Sequence, residues 1–145
     1  MADNYLGAHG HYASPGIQNV GSYQSSGWPW ISGSGILRAG EERKFSFPMV
    51  TKNVTVIQSG SEVSARIHFA STSSGPGVIQ GRHYVSLSSH EDSYTFNVKC
   101  KEIYVTCAAA HETDPYSWEV VAELTNIPTG SMFVLTGSGI TEVTG

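Results

Sequence analysis

Histidine and cysteine are the residue types through which this chain could bind a metal ion or attack a substrate. The sequence contains six histidines and two cysteines, and His9 and His11 form the densest pair, in a glycine-rich segment without a nearby cysteine. A zinc site needs three or four ligands that converge at about 2 Å from the ion. Cys100 and Cys107 lack the short spacing of a zinc knuckle or a redox motif. We therefore predict no metal site and no cofactor.

A hydrolytic site would require a nucleophile beside a base, and the sequence offers no motif of that kind. It contains no G-x-S-x-G turn, and the glycine-serine run SGSG (32–35) lacks the Lys and Ser/Thr of a phosphate-binding loop. His90, Glu91 and Asp92 are consecutive, but neighbours along a strand point apart and such runs are common in hairpin loops. No catalytic residue is predicted, and we expect the protein not to be an enzyme.

The first 35 residues combine many aromatic side chains with almost no charge. Asp3 is the only formally charged side chain before Arg38. Disordered tails are usually rich in charge and poor in aromatic residues, so we expect these rings to be buried against something. Residues 1–35 are predicted to form an extended N-terminal arm, with interface residues Tyr5, Leu6, Tyr12, Ile17, Tyr23, Trp28, Trp30 and Ile31.

Trp28-Pro29-Trp30-Ile31 is the densest apolar stretch of this arm. Pro29 fixes its own φ angle and biases Trp28 toward extended geometry, so the two rings are held on a semi-rigid backbone. They could dock on the chain's own domain or on another subunit. Both kinds of docking occur together if residues 28–31 dock on the chain's own sandwich while residues 1–16 form an intermolecular arm.

From about residue 43 onward, short runs of alternating apolar and polar residues are separated by turn residues, which is the pattern of an all-β domain. In VSARIHF (63–69) alternate residues from Val63 to Phe69 are predicted to share the buried face, and His68 to lie on the polar face. The other predicted strands are KFSF (44–47), NVTVIQ (53–58), YTFNV (94–98), EIYVT (102–106), SWEVVAEL (117–124) and MFVLT (132–136). The only candidate helix, CAAAHE (107–112), is short enough to be a loop.

Seven or eight strands of this spacing predict an all-β fold, an antiparallel two-sheet β-sandwich over residues 36–145. The sequence also contains a weak internal repeat, because FSFPMVTKNVTV (45–56) aligns with YTFNVKCKEIYV (94–105), aromatic on aromatic and aliphatic on aliphatic. Such a repeat would indicate a pseudo-twofold arrangement of the two halves.

Length and charge limit the classes of partner. At 145 residues the chain is long enough for one domain with a core. The net charge is −4 and no cluster of basic residues exceeds Arg43-Lys44, so we do not expect nucleic acid to be a partner. Every charged residue after Lys101 is acidic. If these residues share one side, that side could contact a basic partner or simply keep the particle soluble.

The cellular compartment is predicted from the apolar runs and the cysteines. No apolar run approaches the roughly 18 residues that cross a bilayer, and no basic segment precedes an apolar core at the N-terminus. We therefore expect neither secretion by a signal peptide nor a membrane partner. Cys100 and Cys107 are predicted to be free thiols buried in a core, which suits the reducing cytoplasm.

Five stretches resemble small virion structural proteins of tailed bacteriophages, in particular β-sandwich proteins that decorate or cement capsids. They are IQNVGSYQSSGWPWISGS, FPMVTKNVTVI, YTFNVKCKEIYVT, AELTNIP and LTGSGIT, and the similarity spans residues 17–145. The resemblance implies an exposed sandwich on the capsid surface, bound to the lattice of major capsid protein and to neighbouring copies of itself through the arm, without catalysis. Assembly would take place in the host cytoplasm.

Two alternatives stay open at this point. A tail-tube or head-tail adaptor subunit resembles the same stretches almost as well. A glycan-binding β-sandwich is the second alternative, because Trp28, Trp30 or Trp118 could stack on a sugar ring. Trp118, however, is in phase with the apolar residues that follow it, which predicts a core position.

Overall fold

The chain folds into two four-stranded antiparallel sheets packed face to face. The computed structural model describes residues 16–18, 27–34, 41–59, 64–72, 77–88, 91–107, 118–137 and 139–141. The strands are β1 (Trp28–Ser34), β2 (Glu42–Ser46), β3 (Met49–Gln58), β4 (Ala65–His68), β5 (Val85–Leu87), β6 (Ser93–Phe96), β7 (Glu102–Cys107) and β8 (Trp118–Pro128). A short helix, α1 (Gly77–Gln80), precedes β5, and a 3-10 helix (Thr129–Ser131) follows β8. The prediction of an all-β sandwich is confirmed.

The strand order identifies the sandwich as a jelly roll. Sheet 1 has the order β1-β8-β3-β6 and sheet 2 the order β2-β7-β4-β5. Consecutive strands β2 and β3 therefore lie in different sheets, and each pairs with one of the consecutive strands β7 and β6. These four strands form one two-stranded ribbon that folds over from one sheet to the other, which is the defining feature of the eight-stranded jelly roll.

Hydrogen bonds keep the ribbon paired where it crosses between the sheets. The Phe47 N–H donates to the Lys101 carbonyl at 2.9 Å, and the Thr51 N–H donates to the Cys100 carbonyl at 2.9 Å. The Thr51 hydroxyl also donates to the Val98 carbonyl at 2.9 Å. These three bonds join the two halves of the corner, where the regular pairing stops between Ser46–Glu102 and Val54–Phe96 and the register of β3 against β8 shifts near Thr51. The internal repeat of the sequence aligns β2 with β6 and β3 with β7, the strands that a twofold axis through this ribbon would exchange.

One hydrophobic core fills the space between the sheets. Alternate residues of each strand point inward, as the period of two requires. Trp118 is fully buried in this core, in agreement with the prediction from its phase. The buried members are Phe45, Phe47, Val54, Val56, Ala65, Ile67, Leu87, Phe96, Cys100, Ile103, Val105, Cys107, Trp118, Val120, Ala122 and Leu124.

The arm was predicted to extend to residue 35, and the structure corrects this boundary. Trp28–Ser34 is strand β1, which pairs with β8 from Trp28 opposite Leu124 to Ser34 opposite Trp118. The pairing begins beside Gly27, where an added Cβ would lie 1.5 Å from the Leu124 carbonyl oxygen. Only a glycine permits this close approach. Residues 28–34 therefore belong to the sandwich.

Two further predictions about strands are wrong. Residues 132–136, predicted as a strand, have an irregular backbone and pair with no strand in the described part of the chain. Strand β5 was not predicted, because three residues are too few to show an alternation. Val63 of the predicted VSARIHF strand and most of the candidate helix CAAAHE lie outside the described residues.

Candidate functional site

The outer face of sheet 1 carries an uncharged row of side chains that crosses all four strands. Ile31 is the register partner of Val121, and Val121 is the partner of Thr55. Thr95 continues the row on β6, where its hydroxyl lies 2.8 Å from that of Thr55. All four residues alternate with core residues and so point away from the core. We call Ile31, Val121, Thr55 and Thr95 the outer row.

Strand β1 carries two exposed large apolar side chains, one on each of its faces. Ile31 is 72% exposed and Trp28 is 58% exposed. Within the described residues β1 is a terminal strand of sheet 1, and Pro29 lies in it, which is the position that sheets tolerate for proline. The backbone under both residues is fixed by pairing with β8. Trp28 is in phase with Trp30 and is opposite the core residue Leu124, so it lies on the inner side of the strand at its end, whereas Ile31 lies on the outer side.

The predicted interface residues have different surroundings in the structure. Trp30 points into the sandwich, with its ring edge-to-face to Phe47 at 4.9 Å and to Phe45 at 6.5 Å. Trp28 and Ile31 are exposed, and Ile17 lines a cleft. The remaining four, Tyr5, Leu6, Tyr12 and Tyr23, lie outside the described residues.

An apolar cleft of about 640 Å³ opens at one end of the sandwich. Its volume lies in the range of sites that bind small molecules or a few side chains. Phe133, on its rim, is 62% exposed although it is a large apolar residue. We call this site the apolar cleft; it is lined by Ile17, Gln18, Phe69, Val98, Lys99, Met132, Phe133, Leu135 and Ile140.

Residues 16–18 enter the structure at the wall of this cleft. Lys99 donates a hydrogen bond from Nζ to the Ile17 carbonyl oxygen at 2.6 Å, and the Ile17 side chain packs beside a small cluster of Val50, Ile127 and Met132. A charged donor makes this a stronger bond than one between neutral groups. The chain that precedes Gly16 therefore starts from the rim of the cleft.

His68 was predicted to lie on the polar face of its strand, which we expected to be accessible to solvent or to a partner, and the structure corrects this expectation, because its side chain is completely buried. It lies on the outer side of sheet 2, as the alternation predicts, but residues 69–72 fold back over it. Its Nδ1 lies 2.7 Å from the Ala70 carbonyl oxygen, which can only accept, so Nδ1 carries the proton. Nε2 then accepts from the Thr106 hydroxyl. The ring also stacks on Tyr104 at 5.9 Å.

Glu42 holds residues 69–72 against strand β2 through hydrogen bonds. Its carboxylate accepts from the Ser71 hydroxyl at 2.7 Å and from the Thr72 N–H at 2.8 Å, and one oxygen lies 3.9 Å from His68 Nε2. Burial alone would raise the pKa of Glu42, but these hydrogen bonds and the nearby imidazole outweigh it and lower the pKa. Burial lowers the pKa of His68, more than the Ala70 carbonyl and Glu42 raise it. We call Glu42, His68, Ser71, Thr72 and Thr106 the His68 cluster.

Within the His68 cluster both ring nitrogens of the imidazole are engaged, so the ring is held in place by its neighbours. Beside it, Lys44 and Glu102 form an ion pair at 2.7 Å, and the Tyr104 hydroxyl donates to Glu102 at 3.1 Å. The ion pair raises the pKa of Lys44. None of these side chains lines the apolar cleft. Ser71, Glu102 and Tyr104 instead line a smaller pocket of about 180 Å³.

Sequence reasoning missed the apolar cleft. The run MFVLT (132–136), which contributes to its wall, is strongly apolar, but this composition by itself predicts a strand. Among the described residues, no three His, Cys, Asp or Glu side chains are grouped so that they could hold a metal ion. In the same part of the chain, no helix has the length and apolar character needed to cross a membrane.

Comparisons with known proteins identify no family. No family model matches the sequence, and no curated protein matches it. Among solved structures the chain is similar to a de novo designed double-stranded β-helix determined by solution NMR, with a TM-score of 0.37 and 16% sequence identity. That similarity covers 66% of this chain and 99% of the designed one.

Proposed function

We propose that the protein is a non-enzymatic structural protein of a phage virion, and that it decorates or cements the capsid by binding the major capsid protein and neighbouring copies of itself. The observation that supports this is the exposure of Ile31, at 72%, on the outer face of strand β1. A large apolar side chain held on a rigid strand forms a preorganised contact, which loses little entropy on binding.

The outer row extends this contact across sheet 1. It consists of two aliphatic and two threonine side chains, so a partner surface can cover it without leaving a buried charge unpaired. Glu119 and Glu123 are exposed on the same face, two residues to either side of Val121 on the interior strand β8, so a partner must offer basic or polar groups to them.

The cysteines fit assembly in the host cytoplasm, which we propose as the place where the protein joins the virion. Cys100 and Cys107 are free and buried. Burial raises the pKa of Cys100 to about 11, so this thiol stays protonated and unreactive. Free thiols of this kind are usual in a reducing compartment.

Antibody labelling of virions tests the location. Gold-labelled antibody against this chain should decorate the heads of negatively stained particles. Labelling confined to tails or to the neck would instead support the tail-tube or head-tail adaptor alternative, and particles without label would contradict a virion protein of either kind.

Substitution of Ile31 tests the surface. Ile31→Glu should weaken binding to particles at least about tenfold, because burying an isoleucine contributes roughly 2 kcal/mol and a tenfold change in affinity corresponds to about 1.4 kcal/mol. Ser86→Glu is the matched control, since Ser86 is exposed in the middle of edge strand β5 of the other sheet. Equal binding of both variants in a co-sedimentation assay would contradict the proposed surface.

The exposure of Trp28 also favours one candidate of another class, a glycan-binding module. Of the three tryptophans considered for sugar stacking, Trp118 is buried in the core and Trp30 packs against Phe47. Only Trp28 offers its ring. Binding of the free protein to a glycan array, abolished by Trp28→Ala but retained in Ile31→Glu, would place this function above the structural one.

A further inference from the structure

The apolar cleft is open in one copy of the chain although its own residues 16–18 already contribute to it. Ile17 and Gln18 form part of its wall, and the Lys99 hydrogen bond to the Ile17 carbonyl holds them there. About 640 Å³ of space remains beside them. Phe133, which also lines the cleft, is 62% exposed, and its neighbour in sequence Val134 is 64% exposed. A chain that leaves these apolar groups in water has a favourable place for a further apolar segment.

The segment that precedes Gly16 has the composition to fill this space. Residues 1–15 contain Tyr5, Leu6 and Tyr12, and Asp3 is their only charged side chain. Their length is sufficient to reach an adjacent molecule. Fifteen extended residues span up to about 50 Å. A folded chain of this size has a diameter of roughly 40 Å, estimated from its radius of gyration.

We propose that residues 1–15 of a neighbouring copy occupy the apolar cleft, so that each copy gives its N-terminal segment to the next. The inference rests on the proposed function, because it requires copies to lie side by side. Each segment starts at the rim of a cleft, and repeating the same exchange around a closed ring satisfies every cleft with identical contacts. The cleft is thus the acceptor site of an arm exchange, and its partner is a second copy of this chain.

Chemical crosslinking between two different variants tests the exchange. Tyr12→Cys and Phe133→Cys are purified separately, mixed after brief unfolding and refolding together, and treated with a bis-maleimide. Phe133 is 62% exposed, and the native Cys100 and Cys107 are buried, so wild-type protein gives the background. The exchange predicts a crosslinked band of dimer mass in the mixture.

Glu119→Cys replaces Phe133→Cys in the matched control. Glu119 is exposed at the start of β8, whereas the cleft lies beyond the end of that strand, about 30 Å away. The control mixture should give at least a tenfold weaker band. Deletion of residues 1–15 should also lower the oligomeric state measured by light scattering, while the far-ultraviolet circular dichroism stays unchanged.

Three results would overturn the exchange. A chain carrying both Tyr12→Cys and Phe133→Cys that crosslinks only within itself would show that each copy fills its own cleft. Equal bands with Phe133→Cys and Glu119→Cys, or no band at all, would show that the segment binds elsewhere. The proposed function fails separately: crosslinking in the purified protein together with the absence of label on virions would contradict the virion role and leave the exchange intact.

Discussion

At the residue scale, the two tryptophans beside Pro29 have opposite roles. The Trp30 ring packs edge-to-face against Phe47 and Phe45, whereas Trp28 is mostly exposed. Trp30→Ala should lower the free energy of unfolding by about 3 kcal/mol or more, the usual cost of removing a packed aromatic side chain. Trp28→Ala should lower it by less than about 1 kcal/mol, since exposed sites contribute little. Urea unfolding followed by circular dichroism measures both, and equal losses would contradict the packing.

The His68 cluster makes stability depend on pH. Because the pKa of folded His68 is lowered, an unfolded chain takes up a proton below about pH 6.5 that the folded chain does not. Stability is therefore complete above about pH 6.5 and falls as the pH decreases. The lowered pKa of Glu42 acts in the same direction, below its unfolded pKa of about 4.3.

His68→Gln separates this effect from those of the other histidines. The variant removes the titrating ring, so its free energy of unfolding should fall less between about pH 7 and about pH 5 than that of the wild type. The measurement compares the slope of the free energy of unfolding against pH. A loss of stability that the substitution causes equally at every pH does not change this slope. Parallel slopes in the two proteins would show that His68 is not the group responsible.

His68 also shows what a sequence can and cannot predict about a side chain. The alternation of residues 63–69 correctly places it on the outer side of its sheet. Burial of that side depends on the segment that follows, which returns over the strand and is held by Glu42, 29 residues away from Ser71. A local period contains no information about such a contact, so the expectation of a solvent-exposed ring was wrong.

At the scale of elements, the position where β1 begins depends on one glycine. Gly27→Ala would place a Cβ 1.5 Å from the Leu124 carbonyl oxygen, a backbone atom that cannot move without disrupting the pairing of β1 with β8. We expect a loss of at least about 2 kcal/mol in the free energy of unfolding, within the range of severe backbone effects.

Gly33→Ala is the matched control for this prediction. Gly33 lies in the same strand, and no atom lies within 4 Å of the position of its added Cβ. Its substitution should change stability by less than about 1 kcal/mol. Thermal unfolding of the two variants under identical conditions provides the comparison, and similar melting temperatures would contradict the role assigned to Gly27.

The strands that could be predicted are those with a regular alternation of β-branched and aromatic residues, such as β3 and β8. Strand β1 has the sequence WPWISGS, in which proline, serine and glycine hide its extended conformation. The apolar residues 132–136 gave the opposite error. Met132 is buried and Leu135 is partly buried because they line the apolar cleft, and no strand pairs with them in the described part of the chain. An apolar composition indicates that residues are buried, but buried residues need not form a strand.

At the scale of the whole molecule, the two cysteines report on the integrity of a single core. Cys100 and Cys107 belong to the same hydrophobic cluster, and the thiol of Cys100 has a pKa of about 11. Both should be unreactive toward Ellman's reagent in the native protein and should react together when the sandwich unfolds in urea. If one thiol reacted well before the global transition, the core would consist of two units that open separately.

The jelly-roll ribbon has a consequence for synthesis on the ribosome. Phe45 pairs with Ile103 and Val54 pairs with Phe96, so β2 and β3 are made long before the strands that will cover them. At about 5–20 residues per second, the nascent chain waits roughly 2–12 s for these partners, with apolar strands exposed. Arg43, Lys44 and Lys52 lie in this waiting segment. We expect their charges to disfavour association of the unpaired strands with those of other nascent chains, so that a feature that contributes little to the folded core protects its formation.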